Sequence, residues 1–325
     1  MIGTWASAVQ FVPEVAEQAG ELLVFQRTPP WFAPTENYHD DIADGLAWLL
    51  RHVPSFARWD RLWIFWRMHE GLLPAAHVDP EWPDQGRSVS MINEFARLLL
   101  AEYITSQFPD DPDLADACTP RYPPIAKRVV RDNGSWPRAL RRDTTRLVTT
   151  DIAGSTPTGI DTVDGQHHDV DVIIYGTGFQ ASKFLTPMVV TGRNGVDLHQ
   201  RWKGDARAYL GVTIPDFPNL FLLYGPNTNI VINGSIIFFS ECGVHYILEA
   251  IRTLLEGGHG AIDCRTDVHD SFNEAVDDAN RKMVWGAAEV NSWYRNEHGR
   301  VAQNWPYSLL EYWERTRTLD TDDYL

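Results

Sequence analysis

With 325 residues the chain is long enough for two domains, and its formal charge of −16 argues against nucleic acid or an anionic membrane as a general partner. At 44% hydrophobic and 22% charged residues it reads as a water-soluble globular protein, in which an anionic ligand needs a local cluster of Arg and Lys. Cys118, Cys242 and Cys264 give neither a CxxC pair nor a zinc spacing and are expected to stay reduced in the cytosol; no apolar run approaches the ~20 residues of a membrane span, and no secretory leader is expected.

The opening, "MIGTWASAVQFVPEVAEQAGELLVFQRTPPW", has the order glycine turn, helix, strand: a βαβ unit whose first strand is expected to be missing. Residues 6–19 predict a helix, with Val9, Val12, Val15, Ala16 and Ala19 roughly on one face, Pro13 against it and Gly20 as its stop. "ELLVFQRT" follows as a short apolar strand. Residues 35–120 are acidic and rich in Trp and Pro. Trp59, Leu62, Trp63 and Trp66 make an i, i+3, i+4, i+7 stripe there, and "SVSMINEFARLLLAEYITSQF" is a second helix. The block reads as a helical insertion with its own small core, closed by a loop at "DDPDLADACTPRYPP". Strands are expected at "TRLVTTDIAG", "HDVDVIIYGTG" and, buried, at "FPNLFLLYGPN". "GSIIFFSECGVHYILEAIRTLLEGG" predicts a long helix with Ile237, Val244, Ile247, Leu248, Ile251 and Leu255 at helical spacing and Gly257–Gly258 as its end.

In a dinucleotide-binding unit the glycines make a tight turn, admit the pyrophosphate to the backbone and let helix pack on strand. Gly3, Trp5 and Ala8 occupy the G-x-G-x-x-A positions, with an indole in place of the middle glycine. About twenty residues on, NAD enzymes place a carboxylate on the ribose, whereas an Arg accommodates the 2′-phosphate of NADP. Here the sequence reads Arg27-Thr28, a forked cation beside a hydroxyl; a phosphate contact and a solvated strand-end Arg both remain open on spacing alone. Gly176, Gly178 and Ala181 satisfy the same pattern, but Pro187 and Gly192 break the helix that should follow, so this turn reads as a decoy for pyrophosphate. Adjacent Lys127 and Arg128 suit an anion or a bland surface equally. His167 and His168 are neighbours, which on a strand face opposite ways, and a loop tip is the expected setting. No HExxH, GxSxG or Walker pattern occurs, and no metal site is expected.

Seven stretches in one order are more specific than any one of them: "GTWASAVQFVPEVA", "VFQRTPPW", "KRVVRDNGSW", "VIIYGTGFQAS", "FPNLFLLYGPNTN", "NGSIIFFSEC" and "NSWYRNEHGRVAQNWP". Together they resemble the Baeyer–Villiger monooxygenases of the flavin-containing monooxygenase superfamily, especially the 4-hydroxyacetophenone monooxygenase-like branch. The resemblance implies an α/β fold: a Rossmann-like NADP-binding unit from 1–34 and 121–180, the helical insertion 35–120, and the C-terminal part of an FAD-binding α/β domain from 181–325. It implies NADPH and FAD as cofactors and a ketone and O2 as substrates, giving an ester or lactone. Gly3, Thr4, Ala6, Ser7 and Ala8 would lie in the NADPH pyrophosphate turn; Arg27, Thr28 and Lys127 would hold the 2′-phosphate. Arg128 matches the family's active-site arginine, whose fixed charge stabilises the negative oxygen adduct of reduced flavin. Thr177, Gly178 and Phe179 would sit where the chain returns to the FAD domain, and Gly225, Asn227, Asn233 and Ser235 on the flavin side.

The departures from the family pattern carry expectations of their own. The family's first FAD-binding half, with its own GxGxxG, and its linker fingerprint are not in this sequence, so the chain reads as the C-terminal part of such an enzyme, with a misassigned start as one explanation. Residues 181–325 are then expected to expose apolar surface. Trp5 is expected to obstruct the pyrophosphate, and Gln180 stands where relatives usually have an acid. Two functions follow: an FAD- and NADPH-dependent monooxygenase, or an inactive remnant acting at most as a weak NADP-binding or interaction module.

Overall fold

The computed structural model describes residues 1–325 except 39, 67–70 and 233. Its helices are α1 (Ala6–Gln18), α2 (Asp44–His52), α3 (Phe56–Phe65), α4 (Met91–Ser106), α5 (Pro112–Cys118), α6 (Ser135–Leu140), α7 (Leu198–Trp202), α8 (Ile236–Gly257), α9 (Thr266–Arg281), α10 (Val284–Ala287) and α11 (Leu309–Thr316). The strands are β1 (Leu22–Phe25), β2 (Phe32–Pro34), β3 (Val130–Asp132), β4 (Thr145–Val148), β5 (Ile152–Ser155), β6 (Gly159–Thr162) and β7 (His167–Asp169). Two compact units result. The first is Met1–Ile42, Glu94–Pro124 and Arg128–Phe179; the second is Ala43–Asn93, Ile125–Lys127 and Gln180–Leu325. The stretch 35–120 is thus divided between them, with the boundary falling inside α4.

In the first unit, α1 buries Ala8, Val9, Val12 and Ala16 and ends at Ala19, whose backbone turns extended one residue before Gly20. Buried on every residue, β1 pairs in parallel with β4, Leu22 opposite Thr145 through Phe25 opposite Val148. The strand expected to be missing is present as a stub. Met1–Gly3 lies between β1 and residues 174–176: Phe25 N–H donates to Met1 O, Gly3 N–H to Phe25 O, Ile2 N–H to Ile174 O and Gly176 N–H to Ile2 O, all at 2.8–3.0 Å. Ile2 bridges Phe25 and Tyr175, both in parallel. The lateral order is therefore β4, β1, the stub, then 174–176, an α/β arrangement of the Rossmann kind. Leu23, Phe25, Val148 and Ile160 form the core under it.

The rest of "HDVDVIIYGTG" is not the continuous strand expected from its apolar run. Only β7 is regular, in the antiparallel sheet β5-β6-β7, and 174–176 pairs with the stub through single bridges. His167 and His168 sit on that strand rather than at a loop tip, and they do face opposite ways. His168 is buried edge-on against Phe25 at 5.5 Å, and the exposed His167 lies between Asp161 and Asp169. "DDPDLADACTPRYPP" is likewise not all loop, because Asp111 caps α5 by accepting from Leu114 N–H at 2.9 Å.

The second unit is built around α8, started by Ser235 as its cap and ended by Gly258 in the left-handed region (φ 64°). Its buried side is Phe239, Cys242, Gly243, Tyr246 and Ala250, of which Phe239, Cys242 and Tyr246 pack in one cluster with Phe272, Val276, Trp305, Leu309 and Tyr312. Phe239 stacks on Tyr312 at 4.1 Å between centroids. Another cluster joins Leu198, Trp202, Ile214, Phe217 and Leu222. Three expectations fail here. Of the α8 stripe read from the sequence, Ile247 packs against the core while Ile237, Val244, Leu248, Ile251 and Leu255 are exposed, because the aromatic side of the helix supplies the larger contact area. Trp59, Leu62, Trp63 and Trp66 are exposed on or just after α3, so no small core forms on that stripe. "FPNLFLLYGPN" is a chain of turns, since a strand needs a continuous neighbouring ladder and its backbone makes scattered bonds to three different segments, Asn219 N–H to Ile262 O, Leu222 N–H to Val212 O and Asn227 N–H to Ala302 O.

Candidate functional site

The parallel order of the first unit places a topological switch point at the carboxyl ends of the stub and of 174–176, where α/β sheets leave a crevice for a ligand. Gly3 ends the stub with φ +103°, and a Cβ there would clash with the backbone oxygen of Gly176. This glycine therefore serves close strand packing as well as the turn. Buried Thr4 donates its hydroxyl to Thr28 O at 3.4 Å, tying the turn to the residues after β1. Trp5 then precedes α1 with an extended backbone (φ −91°, ψ −170°), so this position does not require a glycine conformation.

What α1 offers is polarity without a partner. Its first turn has no side-chain cap and no acidic residue, so the N–H groups of Ala6, Ser7 and Ala8 lack a side-chain acceptor at the positive end of the helix dipole. Arg27 is exposed and has no ion-pair or hydrogen-bond partner among the described residues, in a chain where acids outnumber bases. Gly178 has φ +88° with open space where a Cβ would be, and Thr177 and Phe179 on either side are exposed. The set fits an anionic dinucleotide: uncapped amides, small side chains and a free guanidinium.

Around this turn the chain is held by contacts that the sequence reading did not single out. Trp31 Nε1 donates to Tyr122 O at 3.0 Å and Tyr122 Oη to Pro29 O at 3.1 Å, so "PPW" and "YPP" clasp each other. Burial pushes the Tyr122 hydroxyl well above the usual tyrosine value. Asp132, fully enclosed at the end of β3, accepts from Tyr103 Oη at 2.8 Å and from the N–H groups of Gly134 and Trp136. Burial, then Asp132, raises the Tyr103 hydroxyl. An Asx pattern at "RDNGSW" is the signal that could have found Asp132 as a cap for α6. Arg128, four residues before it, is exposed and has no ion-pair partner among the described residues, whereas Lys127 is buried.

The loop expected on the flavin side lies in the second unit and is of a different kind. A Cβ at Gly225 would clash with Gly211 O, so this glycine also serves backbone packing. Asn227 is buried with φ 57°; its N–H donates to Ala302 O, its Nδ2 to Val301 O and Asn304 O, and its Oδ1 accepts from Arg300 Nη1 at 3.1 Å. Arg300 in turn pairs with Asp205 and Asp277, and Arg207 bridges the same two carboxylates at 3.0 and 2.8 Å. Burial alone would raise the Asp205 carboxyl, but the guanidiniums of Arg300 and Arg207 outweigh it and hold it below the usual value. The Ser235 hydroxyl accepts from Ile237 N–H at 3.2 Å. Asn233 lies outside the described residues. The side chain of Asn227 is thus engaged by the fold through both its polar atoms and the Ser235 oxygen accepts one bond, while Gln303 Nε2 and Asn304 Nδ2 are buried donors without a partner among the described residues. The bonds of Arg300 to Asn227 and Asp205 span 73 and 95 residues, and no local motif announces them.

No family model matches the chain. Along its whole length it is 35% identical to an uncharacterized monooxygenase of Sinorhizobium fredii and 30% identical to a Baeyer–Villiger monooxygenase of Pseudomonas aeruginosa, spanning 49% and 59% of them. Among solved structures, a steroid monooxygenase bound to NADP superposes with a TM-score of 0.73 at 27% identity, over 97% of this chain and 63% of that one. The chain is a homologue of the Baeyer–Villiger monooxygenases. A cyclohexanone monooxygenase from Rhodococcus, bound to NADP+, shows the same fold with a TM-score of 0.77 at 21% identity. The chain spans about half to three fifths of the length of the curated monooxygenases it matches. Among the described residues no helix is long and apolar enough to cross a membrane.

Proposed function

We propose that this chain serves FAD- and NADPH-dependent monooxygenation of the Baeyer–Villiger type, in which one oxygen atom of O2 enters a small apolar ketone to give an ester or lactone. Its own share in that reaction is to bind NADPH at the switch point of the first unit. The observation that carries this reading is Arg27, a free guanidinium beside the uncapped start of α1 in a protein of strongly negative charge. The first-turn amides of Ala6, Ser7 and Ala8 receive the pyrophosphate, Thr4 keeps the turn against Thr28, and Arg27 with Thr28 receives the 2′-phosphate. Reduced FAD supplies the activation of oxygen.

Other assignments rest on the resemblance to the homologues. These are Lys127 as a second phosphate cation, Arg128 as the charge beside the reacting oxygens, Thr177, Gly178 and Phe179 at the chain's return, and Gly225 and Asn233 toward the flavin. The same holds for the division into a nucleotide unit (1–34 and 121–180), an insertion (35–120) and a flavin-domain portion (181–325). Three free, buried cysteines are in keeping with action in the reducing cytosol.

The reading is tested by calorimetric titration of the purified chain with NADPH and with NADH. NADPH is expected to bind at least about tenfold more tightly, the worth of a charge-assisted phosphate contact. Equal affinities would contradict it.

A further inference from the structure

Arg27 and Thr28 lie just beyond β1, where the chain has left the sheet. Two prolines follow, and a proline carries no N–H, so Pro29 and Pro30 can be held through the backbone only by their carbonyl oxygens. A forked cation grips a phosphate to advantage when its backbone is already in place, because ordering a loop on binding subtracts from affinity.

Both flanks of the pair are gripped by one short segment far along the chain. Before it, buried Gln26 donates Nε2 to Ala117 O at 2.8 Å and its N–H to Val148 O at 2.8 Å. After it, Pro29 O accepts from Tyr122 Oη at 3.1 Å, and Trp31 Nε1 donates to Tyr122 O at 3.0 Å. The three side-chain bonds span 91, 93 and 91 residues, and all end within Ala117–Tyr122. Trp31 and Tyr122 also meet edge-on, with ring centroids 6.4 Å apart. Burial keeps the Tyr122 hydroxyl protonated and therefore a donor. The segment has its own support in α5, which Asp111 caps and which buries Ala115 and Cys118. Arg27 lies between the two grips, exposed and with no partner among the described residues.

We propose that Gln26 and Tyr122 are positioning residues for the 2′-phosphate: they brace the chain on either side of Arg27-Thr28, present guanidinium and hydroxyl together, and so set the preference for NADPH over NADH. Both act through Arg27 and Thr28 rather than on the nucleotide, since each buried side chain spends its donor on a backbone oxygen. NADH lacks the 2′-phosphate and relies on the first amides of α1, which receive no bond from Ala117–Tyr122 among the described residues. The inference rests on the assignment of Arg27 and Thr28 to the 2′-phosphate made above.

Calorimetric titration of Tyr122→Phe, which keeps the ring and removes only the hydroxyl, tests it. NADPH is expected to bind about three- to tenfold more weakly, one hydrogen bond's worth of lost braced population, with NADH affinity unchanged. In the Arg27→Ala background the same substitution should cost no more than about twofold further, because the group it positions is gone. Tyr103→Phe removes another tyrosine hydroxyl bond of the same unit, to Asp132, and should leave the NADPH to NADH ratio where it is. Should Tyr122→Phe not fold, Gln26→Met, which removes the donor on the other flank, carries the same expectations. Unchanged NADPH affinity, equal weakening of both nucleotides, an undiminished effect after Arg27→Ala, or a ratio moved as far by Tyr103→Phe would each overturn the proposal and leave the nucleotide site standing. An Arg27→Ala variant that binds NADPH as tightly as the parent would overturn the functional reading, and this inference with it.

Discussion

The two glycine-containing loops, one in each unit, differ in what they do with their polar groups. At the opening turn, the first amides of α1 have no side-chain cap and the exposed guanidinium of Arg27 has no partner among the described residues, so a ligand can complete them. At Gly225–Asn229 the polar groups close on themselves: Asn227 is held from four sides, Thr228 Oγ1 donates to Gly225 O at 2.8 Å and Asn229 Nδ2 to Asn304 Oδ1 at 2.8 Å. Motif resemblance treats both loops as cofactor contacts. Hydrogen-bond accounting separates them into an open site and a structural knot.

The largest expected effect would break the knot. Asp277→Ala leaves Arg300 and Arg207 each short of a carboxylate in a largely buried network, and should lower unfolding stability by about 3 kcal/mol in urea titrations. A loss too small to measure would mean that the network does not hold the loop. Next comes Gly3→Ala, which meets the Gly176 backbone and needs a left-handed backbone at an alanine; a loss of about 2 kcal/mol is expected. Full stability would show that the stub does not pack as described.

A smaller effect concerns acid. Because Arg300 and Arg207 depress the folded-state value of Asp205, its contribution is complete above the unfolded value of about 3.9 and disappears as pH falls through the lower folded value. Asp205→Asn should therefore be less stable at neutral pH and flatten the acid limb of the stability profile. A parallel acid limb would contradict the sign. Smallest is Trp5→Gly: removing the indole from the pyrophosphate approach, at a backbone any residue adopts, should tighten NADPH binding several-fold in the same titration. Unchanged affinity would place the nucleotide elsewhere.

How much of this was legible in the sequence follows from the range of the interactions. The α1–β1 unit was readable because a glycine turn, a 3.6-residue period and a short apolar run are all local. The existence of α8 and its end at Gly258 were readable for the same reason, whereas its start at the Ser235 cap was not singled out. Its buried face was not, because apolar residues flank the polar stripe Glu241, His245, Glu249, Arg252 and Glu256 on both sides, and aromatic packing with Tyr312 and Trp305 decided between them. The runs at 170–178 and 217–227 look like strands, yet a strand is a property of a pair, and their ladders amount to single bridges or single bonds. Arg27 could be placed from spacing, but that it has no partner among the described residues could be seen only in three dimensions. The engagement of Asn227 by Arg300, 73 residues away, was equally out of reach.

The direct test of the open site is a pair of affinities, NADPH and NADH, measured by calorimetry for the parent chain and for Arg27→Ala. A guanidinium that grips the 2′-phosphate predicts that the variant loses about 10- to 100-fold in NADPH affinity and nothing in NADH affinity. If NADPH binding is unchanged, or if both nucleotides weaken alike, Arg27 is a solvated strand-end arginine and the switch point is not a site for NADPH.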